Sequence, residues 1–177
     1  MPFPALRRLP GMLLVAVIIG AGAFLFGARQ DAGAARPPGQ LRITVIDGDS
    51  LRAGKESIRL ASIDAPELAQ TCRDAELREW ACGRAARERL AALASGSDVS
   101  CRPQGRDRYG RTLAICSTGA VPDLGEALVR EGFAVDYGRA GSGYGAAEQE
   151  ARAARRGVWR GDFERPQDWR RRHPRTG

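Results

Sequence analysis

Three short segments with the sequence pattern of β-strands follow one another closely at the start of the predicted folded domain. Ile43 and Val45 alternate with polar residues in "RITVID", and "SLRAG" and "ESIRLASID" continue in the same way around a turn at 53–55. Alternation with a period of two indicates strands that bury one face. Three such strands in quick succession predict a β-meander.

The rest of the chain adds helices and two further strands. The sequence predicts a helix at about 83–94, whose apolar face is formed by Ala86, Leu90 and Leu93 at helical spacing. Two strands follow, "DVSC" and "RTLAIC", joined by a polar segment. Asp123, followed by Glu126, is typical of a helix start, and Gly132 is typical of a helix end. A third helix is expected to close at Gly157. This order favours an α+β fold, a small barrel with helices beside it, over a parallel βαβ sheet.

An uncharged segment precedes this domain. Leu9 to Ala28 carries no charged residue, and at about 1.5 Å per residue a helix of that length reaches about 30 Å, enough to cross a bilayer. Arg7 and Arg8 before it favour a cytoplasmic N-terminus. A cleaved signal peptide is the alternative, with small residues at 33–35 as the cleavage site. Either way the domain is expected in the periplasm or extracellular space, and it is secreted if the segment is cleaved.

These patterns divide the chain into successive parts. We expect a cytoplasmic N-terminus at 1–8, a transmembrane anchor or signal segment at 9–28, a linker at 29–39, an α+β domain at 40–160 and a basic tail at 161–177. The tail by itself favours a solvated end. Its tryptophans, Trp159 just before it and Trp169 within it, are expected to pack back on the domain.

The cysteines agree with export. The chain has four, Cys72, Cys82, Cys101 and Cys116, with no CxxC spacing and no nearby histidine, so a zinc site is poorly supported. An even number in an oxidising compartment favours two disulfides. We expect neighbours to pair, because the second pair lies roughly symmetrically about the predicted hairpin tip "DRYG". Free buried thiols are the alternative.

Charge and histidine content limit the possible functions. The net charge is +7 with a pI near 10.0, which favours polyanionic partners such as nucleic acid or an anionic membrane. The single histidine, His173, lies in the arginine-rich tail. Ser-His-Asp, Cys-His and HExxH chemistry each need a histidine in a packed site, so all three are poorly supported. Catalysis would have to depend on carboxylates and arginines.

Two acidic clusters follow predicted strands. Asp47 and Asp49 follow the first strand, and Asp64 and Glu67 follow the third. Taken alone, the Asp-Gly-Asp sequence favours an ordinary turn. In a meander, however, the ends of the first and third strands lie on the same side, so Asp49 and Asp64 can converge. Hard carboxylate oxygens suit Ca²⁺ or Mg²⁺.

Two arginines are candidates to accompany these carboxylates. Arg59 lies on the third strand, where regular alternation would place it on the face opposite to Asp64, while a bulge would bring it to the same side. Arg111 lies in "DRYGR" at the exit of a loop. Guanidinium groups match phosphate oxygens. Phosphodiester hydrolysis can be catalysed by carboxylates, a hard metal ion and arginines, and it needs no histidine. The candidate residues therefore favour this reaction.

Four motifs together resemble one known family. "VIDGDSLR", "IRLASIDAPE", "DRYGR" and "LVREGFAVDY" occur in the order and at about the separations of the staphylococcal nuclease (thermonuclease) family, from about Gln40 to Trp169. The resemblance implies a five-stranded OB-fold barrel with three helices. It also implies a calcium-dependent endonuclease that hydrolyses DNA and RNA and leaves 3′-phosphate ends.

The resemblance also implies roles for individual residues. By position, Ca²⁺ would be bound by Asp49, Asp64 and the backbone carbonyl of Ala65, with Asp47 behind them; Glu67 would be the general base, Arg59 and Arg111 would bind the phosphate, and Tyr109 and Tyr137 would line the nucleotide pocket. The stretch at 68–82 departs from the flexible loop of the family, and a Cys72–Cys82 disulfide would pin it. Ser50 stands where the family often has threonine.

The sequence leaves two other functions as alternatives. A catalytically silent OB-fold module could bind nucleic acid through basic grooves and stacked aromatics, but aromatic residues make up only 6% of the chain, and such a module has no need of the carboxylates. A basic lipid-surface protein would explain the charge and not the acidic clusters. We therefore expect a monomeric nuclease that acts on DNA and RNA and contacts the membrane through its N-terminal helix.

Overall fold

The computed structural model describes residues 43–95, 98–138 and 143–174. All of them belong to one structural unit. Within these ranges, no helix has the length and apolar character required to cross a membrane. The predicted N-terminus, anchor and linker at 1–39 lie outside the described residues.

A five-stranded sheet forms the centre of the described fold, and two short two-stranded sheets accompany it. The strands are β1 (Ile43–Val45), β2 (Ser50–Ala53), β3 (Glu56–Leu60), β4 (Ile63–Asp64), β5 (Cys72–Arg73), β6 (Glu79–Trp80), β7 (Ser100–Arg106), β8 (Thr112–Ser117) and β9 (Val135–Asp136). The large sheet has the order β1-β2-β3-β8-β7. Its first three strands pair antiparallel, as the predicted meander requires.

Two pairings in this sheet organise the rest of the chain. β7 and β8 form an antiparallel hairpin in which Cys101 lies directly opposite Cys116, and the two are joined by a disulfide. β3 pairs parallel with β8, with Arg59 opposite Leu113. The hairpin that carries Arg111 therefore lies beside the strand that carries Arg59.

The described helices are α1 (Cys82–Leu93), α2 (Leu124–Arg130), α3 (Gly145–Ala153) and α4 (Pro166–Arg172), with a 3₁₀ turn at Gly157–Arg160. The side chain of Asp123 accepts hydrogen bonds from two amides in the first turn of α2, and Gly132 follows the helix with a φ of +75°. Both ends of α2 are therefore as predicted. α3 ends at Ala153 instead of near Gly157, because Arg155 adopts a positive φ of 50° that stops the helix.

The main core lies between the large sheet and the helices. Leu51 and Leu60 of the sheet, Leu90 of α1 and Leu128 of α2 are all buried in it. Ala86, one turn before Leu90, is fully buried as well, so the predicted apolar face of the first helix is confirmed. The arrangement is mixed α+β and is consistent with an OB-like fold.

The C-terminal region differs most from the prediction. The resemblance implies three helices, and the described chain has four, because residues predicted to be a solvated tail form α4. Pro166 starts this helix at a position where no backbone N–H is needed, and it is buried. Trp159 packs with Phe163 beside the Cys72–Cys82 disulfide, as expected, whereas Trp169 stacks on His173 of its own segment.

Candidate active site

The turn after β1 directs Asp49 into the protein. The Asp49 amide donates to the carboxylate of Asp47 at 3.1 Å, which closes the turn. A Cβ on Gly48 would lie 2.7 Å from the Cβ of Ala65 and 2.8 Å from that of Ala86 in α1. Only glycine therefore lets the turn approach the helix this closely, and Asp49 is left 3% exposed.

Arg59 lies between the two acidic clusters. Its Nη1 donates to Oδ1 of Asp49 at 2.9 Å, and its Nη2 donates to Oδ1 of Asp64 at 2.8 Å. This is possible because β3 ends at Leu60, and Ser62 then takes a φ of 62° before β4 pairs with β9. The regular alternation therefore does not continue from Arg59 to Asp64. The strand is interrupted between them, and the two side chains lie on the same side.

Asp49 and Asp64 form a buried carboxylate pair. Asp64 is 0% exposed. Oδ2 of Asp49 accepts the amide of Ala65 at 3.1 Å, and Oδ1 accepts the hydroxyl of Ser50 at 2.9 Å. Burial, the largest influence, raises the pKa of the Asp49 carboxyl to about 7, while the Arg59 guanidinium acts in the opposite direction. The pair thus combines negative charge with poor access to water.

Gln70 fixes the backbone around Glu67, and the sequence did not predict this role. The Glu67 amide donates to Oε1 of Gln70 at 3.2 Å, and the Gln70 amide donates to the Glu67 carbonyl at 2.7 Å. The Gln70 carbonyl accepts the amide of Gly83 in α1 at 3.2 Å. Gln70 is 1% exposed, so it replaces solvent as the hydrogen-bonding partner of this loop.

A disulfide closes the same loop. Cys72 and Cys82 are bonded as predicted, and both are buried next to Trp80 and Val158. The stretch at 68–82 therefore contains paired β5 and β6 strands and a covalent link. This loop begins directly after Glu67, so the disulfide limits the freedom of the chain that follows Glu67.

Arg170 of α4 reaches the carboxylates from the far end of the chain. Its Nη1 donates to Oδ1 of Asp64 and to Oε1 of Glu67, both at 2.9 Å, and its Nη2 donates to Oδ2 of Asp64 at 2.9 Å. No local pattern could have identified it, because three consecutive arginines, 170–172, have the same chemistry. Only the tertiary arrangement selects the first of them.

The remaining predicted residues lie around the β7–β8 hairpin and β9. Nε of Arg111 donates to Asp107 at 2.7 Å, and Tyr109 is 69% exposed with the Arg108 guanidinium 4.8 Å from its ring centre. Tyr109 and Arg111 border an open depression of about 530 Å³. Tyr137 follows β9, and its amide donates to the carbonyl of Ser62 at 2.9 Å. The described contacts thus join Arg59 to the carboxylates and leave Arg111 paired with Asp107.

The charges of the site favour a divalent cation. Four carboxylates, those of Asp47, Asp49, Asp64 and Glu67, lie here with two guanidinium groups, those of Arg59 and Arg170, which contact the last three of these carboxylates. Within the described ranges, no three acidic, histidine or cysteine side chains are arranged around a common metal position; the guanidinium groups lie between the carboxylates. Asp49 and Asp64 nevertheless supply the hard oxygens that Ca²⁺ and Mg²⁺ prefer. The group as a whole can bind a cation, hold a phosphate and activate water.

We predict that Gly83→Ala disturbs this site. A Cβ at Gly83 would lie 1.8 Å from the Glu67 carbonyl oxygen, a backbone atom that cannot move aside cheaply. We expect a loss of about 1–3 kcal/mol of folding free energy, the usual cost of overpacking, measured by urea denaturation. Gly119→Ala is the matched control, since a Cβ there meets nothing within 4 Å. Equal stability of the two variants would contradict the close packing of α1 against Glu67.

Comparisons with known proteins identify relatives of this chain. The family model described as "Staphylococcal nuclease homologue" matches residues 57–161, a range that ends before α4. "Succinoglycan biosynthesis protein ExoI" of Rhizobium meliloti (strain 1021) is 38% identical over 145 residues, which cover 80% of this chain and 75% of that protein. "Micrococcal nuclease" of Shigella flexneri is 32% identical over 146 residues, covering 73% and 78%. "Uncharacterized endonuclease" of Haemophilus influenzae is 31% identical over 137 residues, covering 73% and 71%.

Proposed function

The chain belongs to the staphylococcal nuclease family and is a phosphodiester hydrolase, and we propose that it is a calcium-dependent endonuclease that cleaves DNA and RNA and leaves 3′-phosphate ends. The observation that carries the proposal is the buried pair Asp49 and Asp64, bridged by Arg59 at 2.9 and 2.8 Å. A module that only binds nucleic acid gains nothing from burying two carboxylates, which costs folding free energy.

Calcium fits the donors that the site offers. Asp49 and Asp64 would bind it through carboxylate oxygens, with Ala65 adjacent, whose amide already contacts Asp49, and with Asp47 supporting the turn behind them. When bound, the cation would polarise the phosphodiester and stabilise negative charge on its oxygens. The named carboxylates outnumber the two guanidinium groups that contact them, which gives a divalent ion a favourable electrostatic environment.

The side chains supply the remaining chemistry. Glu67 accepts a proton from the attacking water as the new P–O bond forms. The P–O5′ bond breaks and the leaving O5′ takes up a proton from solvent water, which leaves a 3′-phosphate and a 5′-hydroxyl. Two arginines donate to the non-bridging phosphate oxygens. Arg59 is held in place by two carboxylates. Arg111 exchanges its contact with Asp107 for the phosphate. Tyr109 and Tyr137, both substantially exposed, contact the neighbouring nucleotide.

The setting of the enzyme is part of the proposal. The two disulfides among the described residues are typical of proteins outside the cytoplasm, and the uncharged segment at 9–28 has the length of a membrane anchor. We therefore place an OB-fold nuclease domain outside the cytoplasm, anchored to the membrane, or secreted if the segment is cleaved. The enzyme is expected to act as a monomer.

A metal-removal experiment tests the activity. We expect the purified protein to degrade single-stranded DNA and RNA in the presence of calcium and to stop when a chelator is added, since the buried carboxylates then lose their cation. The products should accept a 5′-phosphate from a kinase and should support polymerase extension only after phosphatase treatment. Binding without cleavage under both conditions would favour the catalytically silent OB-fold module instead.

A further inference from the structure

Arg170 joins two residues that the proposed reaction treats separately, a metal ligand and the general base. We propose that Arg170 is a positioning residue that holds the Glu67 carboxylate beside Asp64, so that the base stands in a fixed place before calcium and substrate arrive. The inference rests on the proposed function, because Glu67 and Asp64 have these roles only in a nuclease. It adds a residue from α4 to the site.

The geometry of the guanidinium supports this role. Both carboxylate oxygens of Asp64 accept hydrogen bonds from Arg170. This bidentate pairing fixes the orientation of the guanidinium group. Asp64 is itself held by the fold, since it is fully buried in β4, which pairs with β9. Nη1 is shared with Oε1 of Glu67 at 2.9 Å. Arg170 therefore transmits the fixed position of Asp64 to a glutamate that lies in a loop.

The segment before α4 is anchored to the loop that follows Glu67. A Cβ on Gly161 would lie 2.3 Å from the Arg73 carbonyl oxygen, so the two backbones are in direct contact. The Arg73 amide donates to the Asp162 carbonyl at 2.8 Å, and Nε2 of Gln70 donates to the Glu164 carbonyl at 2.7 Å. The first two contacts join backbone to backbone, and the third joins the buried Gln70 side chain to the backbone; such contacts hold a segment more rigidly than exposed ion pairs do.

Arg170 acts on the base and on the cation in opposite directions. Its positive charge offsets the mutual repulsion of Asp64 and Glu67, which favours keeping the two carboxylates together. The same charge reduces the attraction of the site for a divalent cation, and its N–H groups occupy oxygens of Asp64 that calcium would also use. Removing Arg170 should therefore release the base and strengthen calcium binding.

The test compares Arg170→Gln with a matched variant of the same helix, Arg171→Gln. Arg171 has a 69% exposed side chain and pairs with Asp168 within α4. For Arg170→Gln we expect kcat to fall by about 10–100-fold, the order of loss that misplacement of a reacting group produces, with little change in KM. Titration calorimetry without substrate should show a calcium dissociation constant equal to or lower than that of the unmodified protein. Arg171→Gln should match the unmodified protein in both.

Arg170→Lys provides a second variant that keeps the charge. An ammonium cannot reproduce the planar fork, so kcat should lie between those of Arg170→Gln and the unmodified protein. If Arg170→Gln does not fold, kcat and the calcium affinity of Arg170→Lys test the positioning role instead. Weaker calcium binding in parallel with lower kcat would overturn the inference in favour of a purely structural role, and so would unchanged kcat. If the unmodified protein binds calcium but cleaves nothing, the proposed function fails and the inference fails with it.

Discussion

Glu67→Gln is expected to lower kcat by about 10²–10⁴-fold, the range that general acid–base catalysis contributes. The amide is nearly the same size as the carboxylate and cannot accept the proton of the attacking water. Calcium should still bind, because Asp49 and Asp64 are unchanged, with an affinity lowered modestly by the loss of one nearby negative charge. Steady-state kinetics on single-stranded DNA and titration calorimetry with calcium measure the two quantities separately.

Glu76→Gln is the matched control for this prediction. Glu76 lies in the loop that follows Glu67, and its exposed carboxylate pairs with Arg78 at 2.8 Å. The same chemical change there should leave kcat unaltered. If Glu67→Gln retained the activity of the Glu76 variant, the general base would have to be another group. The proposal that Arg170 positions the base through Glu67 would then be wrong.

Arg59→Gln should abolish most activity and destabilise the fold at the same time. Arg59 donates to both Asp49 and Asp64, which are buried, and removal of one partner from a buried ionic group commonly costs about 3–5 kcal/mol. Loss of a phosphate-binding donor should lower kcat by about 10²–10³-fold. Urea denaturation gives the stability, and hydrolysis of DNA gives the activity.

Calcium provides an internal check on the Arg59 result. A cation that binds the folded state only should recover part of the lost stability, because it replaces the missing positive charge between the carboxylates. Arg52→Gln, on the exposed side of β2, is the control and should behave as the unmodified protein does. A calcium response no larger in Arg59→Gln than in Arg52→Gln would argue against a cation site at Asp49 and Asp64.

Much of the local structure could be predicted because it depends on near neighbours in sequence. The meander, the start of α2 at Asp123 and the apolar face of α1 follow from alternation, capping and helical spacing. The Cys101–Cys116 pair follows from its symmetry about a hairpin turn. In each case the interacting groups are brought together by a short segment with few alternatives.

The position of Arg59 shows where such rules stop. Alternation along a regular strand would have separated it from Asp64, and a break at Ser62, which adopts a positive φ of 62°, reverses that outcome. A serine carries no strong signal for this conformation. The break is stabilised by pairing of β4 with β9, whose residues lie some seventy positions later in the chain, so the information is not local.

The sequence by itself therefore determined the chemistry of this protein: the two acidic clusters, the arginines, the absence of a usable histidine and the cysteine pairs. Only the tertiary structure decided which groups meet. Arg170 reaches Asp64 across 106 residues, and Gln70 reaches Glu164 across 94. The physical reason is that contacts so distant in sequence depend on the packing of the whole chain, which gives the three neighbouring arginines of α4 different surroundings and brings only the first to the carboxylates.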